Sequence, residues 1–293
     1  MFVLAHLSDP HIPPLSEPRL VELFGKRITG YLNWKLRRGA HHRRDVLDGL
    51  TADLLAQSPD HISVTGDLAN LSTAGEFDVG RKFLAGLGDG KNVTVIPGNH
   101  DAYVRSTNGM YLAAWRENLL GDAGSNVPFP FLRRRGPLAI VGLSTAVPTL
   151  PFFASGRLGT DQLDRLAVVL EQLSKEKLFR VILIHHPPAG PRPWLKRLED
   201  APGFRDVIAL YGADLVLSGH DHVAAVNEIE GLGKPVPVVQ VPSASAAMDD
   251  PRGGGAYNLY RIDGEFGRWS CEMESRGITT AGKIASLGKK RLL

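Results

Sequence analysis

Five short apolar runs in this chain each end in a loop rich in Asp, Asn and His. Residues 2–7 stop at Ser8-Asp9-Pro10-His11, and residues 61–65 run into Gly66-Asp67. Residues 92–96 meet Pro97-Gly98-Asn99-His100-Asp101, and residues 180–184 meet His185-His186-Pro187-Pro188. Residues 213–217 lead into Ser218-Gly219-His220-Asp221-His222. Continuous apolar runs of this length, closed by turn residues, read as strands buried on both faces. In open α/β sheets the binding crevice lies outside the carboxyl ends of such strands. Loops far apart in sequence are therefore expected to converge on one edge, and they hold six of the chain's 10 histidines.

Helical patterns separate these runs. Val46, Leu47, Leu50 and Leu54 fall at helical spacing. Thr73 with Glu76 forms a capping box ahead of Phe77, Gly80, Leu84 and Leu87. Thr160 is expected to cap a helix carrying Leu163, Leu166, Leu170 and Leu173, and residues 204–211 form another. A further strand is expected at 139–143. Residues 236–241, 257–262 and 268–273 read as antiparallel strands between Gly-rich turns. The class is α/β. With 293 residues, 43% hydrophobic content, no repeat and no strong linker, one domain is expected over residues 1–275. Residues 276–293, with Lys283, Lys289, Lys290 and Arg291, read as a disordered basic tail.

Composition narrows the chemistry. The single cysteine, Cys271, excludes an intrachain disulfide framework and a thiolate metal cluster. A net charge of +3 argues against an electrostatic nucleic-acid binder. The first residues lack the pattern of a signal peptide, and no apolar run reaches the roughly 18–20 residues of a membrane span, so a cytoplasmic protein is expected. The donors in the five loops are imidazole, carboxylate and one amide oxygen. That set suits Mn, Fe, Zn, Co or Ni. It over-supplies one ion and matches two.

The series Asp9-x-His11, Gly66-Asp67, Gly98-Asn99-His100-Asp101, His185 and Gly219-His220-x-His222 resembles the five-block signature of the calcineurin-like metallophosphoesterases. The resemblance covers about residues 3–245 in the family's block order. It implies a four-layer α-β-β-α sandwich of two mixed β-sheets flanked by helices, with a dinuclear centre at one edge. By position, Asp9, His11 and His222 would hold one metal, Asn99, His185 and His220 the second, and Asp67 would bridge them. His185 rather than His186 takes the ligand place two residues before the proline, and His100 would stand beside the leaving group. Two cations about 3.5–4 Å apart can share and acidify a hydroxide and clamp an in-line displacement at phosphorus. A metal-dependent phosphoric ester hydrolase is implied, with catalytic roles for Asp67 and His100. The block at residues 68–77 is similar to members acting on cyclic nucleotides and glycerophosphodiesters, so a small phosphodiester is the expected substrate.

Other residues carry quieter expectations. His6 and His61 read as core or strand-edge histidines, Asn70 and Glu76 as turn and cap residues, Asp101 as a loop-orienting carboxylate, and Asp221 as exposed. The basic, aromatic-containing insertion at about 24–44 has three readings. It could be a surface helix packed on the sheet, or a lid bringing Arg and Lys to the substrate phosphate. It could also be an interfacial helix for anionic lipid headgroups, with Tyr31 and Trp34 at the boundary. The last reading implies a membrane-peripheral hydrolase of lipid-linked pyrophosphate or phospholipid. A non-catalytic scaffold of the same fold is the remaining alternative, and the intact ligand set counts against it.

Overall fold

The computed structural model describes residues 1–107, 109–124 and 129–293. From the N-terminus, β1 (Phe2–Leu7) leads through the inserted segment, where α1 (Lys26–Asn33) continues as a π-helical turn (Trp34–Arg38) and a short α2 (Gly39–His41). Next come α3 (Arg44–Ala56), β2 (His61–Val64), α4 (Ala74–Leu87) and β3 (Val93–Val95). After α5 (Met110–Ala114) and α6 (Arg116–Leu119), the chain forms β4 (Phe131–Arg135), β5 (Leu138–Gly142), α7 (Thr160–Leu173) and β6 (Phe179–Leu183). It closes with α8 (Ala201–Tyr211), β7 (Leu215–Ser218), β8 (Ala225–Ile229), β9 (Val236–Gln240), β10 (Ala256–Asp263), β11 (Ser270–Ile278) and β12 (Ile284–Arg291).

Two six-stranded mixed sheets result, in the orders β12-β11-β10-β1-β2-β3 and β4-β5-β6-β7-β9-β8. In the first sheet β1, β2 and β3 are parallel out to one edge and β10, β11 and β12 pair antiparallel, whereas in the second β5, β6, β7 and β9 are parallel and only the edge strands β4 and β8 are antiparallel. Alternation along a strand explains the layering. Leu138 and Ile140 of β5 and Val181 and Leu183 of β6 face the core shared with the first sheet. Ala139, Val141 and Ile182 face a second core with Leu166 and Leu170 of α7 and Phe204 and Ile208 of α8. On the other side α3 lies across β10, β11 and β12, while Phe77, Leu84 and Leu87 of α4 join the core of β1–β3. The architecture is α-β-β-α. No helix among the described residues is long and apolar enough to cross a membrane.

Two local expectations are corrected. Residues 276–293 are not a separate disordered tail: they contain the end of β11 and the edge strand β12, which pairs antiparallel from Ile284 to Arg291. The helix from Thr160 is capped by Gly159 without a side-chain cap, whereas Thr73 and Glu76 do form their reciprocal capping box.

Candidate metal centre

Parallel pairing of β1, β2 and β3 brings Asp9, Asp67 and Asn99 to one edge, and pairing of β6 with β7 places His185 beside His220 and His222. Backbone bonds lock the loops together. The Asp9 and His11 amides donate to the Gly66 and Asp67 carbonyls, and the Gly219 amide donates to His185. A bridge between Ser8 and Ser243, with the Ala244 amide donating to the Ser8 carbonyl, closes the first sheet onto the second. Of eight non-glycine residues with positive φ among the described residues, five are Asp9, His11, Asp67, His220 and His222. Backbone strain is thus concentrated where the donors converge.

The seven predicted ligand residues form two adjoining nests. In one, His11 Nε2 lies 3.2 Å from His222 Nε2, and His222 Nε2 lies 3.3 Å from Asp9 Oδ1. In the other, Asn99 Oδ1 lies 3.2 Å from His185 Nε2 and 2.9 Å from His220 Nδ1. Asp67 stands between them, with Oδ2 3.7 Å from His11 Nε2 and 3.5 Å from His185 Nε2. Its Oδ1 accepts the His100 amide at 2.7 Å. The far nitrogens are tied back to carbonyls: His11 to Ala69, His185 to Thr65 and His220 to Lys196. Such bonds fix the ring orientation and aim the remaining lone pair inward, as at metal-binding histidines.

Electrostatics match a cation site. Burial, then the charge of Arg38 and neighbouring imidazoles, hold His11 well below its ordinary value, and burial beside His186 and His185 does the same to His220. Burial opposes charge on Asp67, but the imidazoles of His185 and His100 keep it ionised below the usual carboxylate range. Burial likewise disfavours charge on His185, yet Asp67 beside it raises its pKa to about 10. Asp9 Oδ1 is buried without a hydrogen-bond donor. Neutral imidazoles at His11 and His220, a proton on His185 that a cation can displace, ionised carboxylates and an orphaned buried oxygen together fit divalent or trivalent cations.

The surrounding residues are placed as follows. Asp101 accepts the amides of Asp67, Ala69 and Gly98 at 2.8–2.9 Å and so shapes two ligand loops. Glu76 accepts the Asn70, Leu71 and Thr73 amides. His186 spends both nitrogens on Thr145 Oγ1 and the Ala154 carbonyl. His6 and His61 pair with Thr65 and Thr94 in the sheet. Asp221, expected to be exposed, is instead partly buried and accepts from Arg192 at 3.0 Å.

The calcineurin-like phosphoesterase family model matches residues 2–224. The chain belongs to the calcineurin-like phosphoesterase family. A dimetal phosphatase from Danio rerio superposes with a TM-score of 0.64 at 13% identity, covering 98% of each chain. The sulfate thiohydrolase SoxB from Thermus thermophilus, solved with glycerol, has a TM-score of 0.53 at 18% identity, covering 99% of this chain and 56% of that one. At these identities the likeness is one of fold. No curated protein sequence matches the chain.

The structure also places residues at the centre that sequence reading passed over. His42, at the end of the insertion, bonds Ser245 Oγ at 2.8 Å and brings its ring 4.7 Å from that of His11. Trp34, expected at a lipid boundary, instead faces inward and stacks on His42 at 5.4 Å. Arg38 reaches His100 Nε2 at 3.0 Å and His11 Nε2 at 3.1 Å, and Arg252 reaches His222 Nδ1 at 3.1 Å. Inward-facing Arg27, Gly30, Trp34 and Arg38 recur every three or four residues, the one signal that could have singled them out. Between the inserted helix and the ligand loops lies a cleft of about 420 Å³, lined by Lys26, Arg37, Arg38, Asn99, His100 and Tyr103. Burial, then Arg38, pushes the His100 pKa to about 3, so near neutral pH the permanent cation beside it is Arg38.

Proposed function

We propose that the chain is a phosphoester hydrolase whose substrate is a phosphodiester bound in the cationic cleft beside a dinuclear metal centre. The observation that carries this reading is Asp67, whose single Oδ2 stands 3.7 Å from a donor of one nest and 3.5 Å from a donor of the other. Asp9, His11 and His222 would hold one cation, Asn99, His185 and His220 the other, and Asp67 would join them. When bound, such a pair supplies Lewis-acid charge and activates water. The protein's own groups do the rest. Lys26 and Arg38 neutralise the phosphate, and Tyr103, stacked at 5.3 Å on His100, fixes the imidazole beside the leaving oxygen. The Nδ1 hydrogen of His100 donates to the Asn70 carbonyl at 2.7 Å, and its Nε2 accepts from the Arg38 guanidinium at 3.0 Å, which couples the ring to the cation of the cleft. Both nests contain donors, which favours an enzyme over a scaffold.

The test is turnover of bis(p-nitrophenyl) phosphate by the purified chain with added manganese, with metal content measured in parallel. Turnover should fall by about a thousandfold in Asp67→Asn, and His220→Ala and His222→Ala should each deplete a different ion. A folded, metal-loaded protein inert toward mono- and diesters would instead support the scaffold reading.

A further inference from the structure

The inserted helix has two unlike faces. Arg27, Gly30, Trp34 and Arg38 point inward. Arg27 Nε donates to the Leu71 carbonyl at 2.8 Å, and Gly30 approaches Tyr103 so closely that a Cβ would collide with the phenol. The opposite face carries Ile28, Leu32 and Leu36, four residues apart, and all three are exposed, Leu36 at 79%. Residues at i, i+4 and i+8 of a helix share one side. Leu20, Val21 and Phe24, which precede the helix in sequence, are exposed as well.

The ridge does not stand alone. Lys26 Nζ ties the start of the helix to Thr149 Oγ1 at 2.7 Å and to the Phe153 carbonyl at 3.2 Å. That loop holds out Leu150 and Phe152, the latter 86% exposed with φ 70°, a strained backbone for a bulky aromatic residue. Phe153 in turn packs edge-on against the exposed Trp194 at 5.2 Å, and the Lys196 carbonyl two residues later accepts from the site residue His220. Exposed apolar side chains therefore occur in the lining of the cleft, at Phe152, and on the helix face turned away from it, at Ile28, Leu32 and Leu36. Contiguous apolar surface of this kind marks an interaction site. Residues 20–38 hold five cations against one anion, and the exposed Lys35 and Arg37 flank the ridge. An apolar ridge with cationic flanks suits the headgroup boundary of an anionic bilayer.

We propose that the helix ridge and the Phe152 loop together form a membrane-docking surface, holding the protein on an anionic lipid bilayer so that the phosphoester reaches the cleft from the membrane as the headgroup of an amphiphile. The docking stands on the surface alone; the substrate clause rests on the hydrolase reading above.

The test uses the full chain, and the triple variant Ile28→Ser/Leu32→Ser/Leu36→Ser. All three side chains are exposed and lie outside the proposed centre, so turnover of bis(p-nitrophenyl) phosphate should be unchanged. Co-sedimentation is measured with equimolar phosphatidylcholine–phosphatidylglycerol vesicles and with phosphatidylcholine vesicles. Wild type should bind the anionic vesicles, and the variant should bind them about a hundredfold more weakly. Phe152→Ser, in the lining of the cleft, should weaken binding as well. Equal binding by wild type and triple variant would overturn the proposal. So would failure of wild type to bind, including the case in which the variant only changes the oligomeric state and the ridge joins two copies. Release of headgroup phosphate from the anionic vesicles is followed in the same samples. Docking combined with turnover of the soluble diester alone would overturn the substrate clause. Docking without any phosphoester turnover would overturn the hydrolase reading and leave the docking surface standing.

Discussion

Gly219 turns the chain from β7 into His220, and a Cβ at that position would overlap the Ser8 side chain and the Asp9 carboxylate. The loop of β1 can approach the loop of β7 only because no side chain stands there. Gly219→Ala should therefore push the Asp9 loop away, costing about 1–3 kcal/mol and lowering metal content. Gly86, in α4 with open space around it, is the matched control, and Gly86→Ala should stabilise by about 0.5–1 kcal/mol. Urea melts of both variants check the opposite signs, and a wild-type melt with full metal content for Gly219→Ala would show that the two loops do not depend on close packing. The same local logic explains which residues could be read from sequence. Asp9, Asp67, Asn99, His185, His220 and His222 follow buried strands directly, so topology alone gathers them. His42 and Arg38 sit among many cations of an inserted helix, and only its packing decides which of them turn inward. The strain at Asp9, His11, Asp67, His220 and His222, on the order of 1 kcal/mol or more at each, leaves no mark in composition.

Among elements, the strands that escaped sequence reading share one property. β4, β8 and β12 occupy edges of the two sheets. An edge strand needs no apolar residues on both faces and carries charge that blocks further pairing, as in the Arg-rich β4 and the Lys- and Arg-rich β12. The central strands, buried on both faces, were legible for the complementary reason. One consequence concerns Arg276, near the end of β11. It pairs with Asp53 of α3, Nη2 to Oδ1 and Nε to Oδ2 both at 2.8 Å, while Tyr257 of β10 donates to the same carboxylate at 2.6 Å. This three-way link pins the helix layer to the first sheet. Because Arg276 foremost holds the Asp53 carboxyl below its ordinary value, the link is fully present above the unfolded carboxyl pKa of about 3.9 and is lost as pH falls through the lower folded value. Asp53→Asn should cost about 1–2 kcal/mol near neutral pH, and the difference from wild type should shrink in melts run at increasingly acidic pH. A difference independent of pH would mean that packing at this position, not charge, secures the helix.

For the molecule as a whole, the decisive fact is that neither sheet owns the site. The loops of β1, β2 and β3 supply Asp9, His11, Asp67 and Asn99, and those of β6 and β7 supply His185, His220 and His222. Hydrogen bonds already cross the gap, as where the His220 amide donates to Asp9 Oδ2 at 2.9 Å and His185 Nδ1 bonds the Thr65 carbonyl at 2.6 Å. A cation held by donors from both sheets binds only when the sheets are docked, so its binding free energy adds to that of the fold. At a hundred times its dissociation constant such an ion contributes about 2.7 kcal/mol. For a chain of this size that corresponds to a rise in Tm of about 5 °C, because each kcal/mol moves a large domain by about 2 °C. Adding manganese to chelator-treated protein should produce that rise in a scanning calorimeter, and excess chelator should reverse it. In Asp67→Asn the carboxylate between the nests is gone, so the rise should fall to half or less, while the metal-free Tm should itself be lower, because the ion pair of Asp67 with His185 is lost. An undiminished rise in that variant would place the stabilising ion away from Asp67 and separate the metal requirement from the junction of the two sheets.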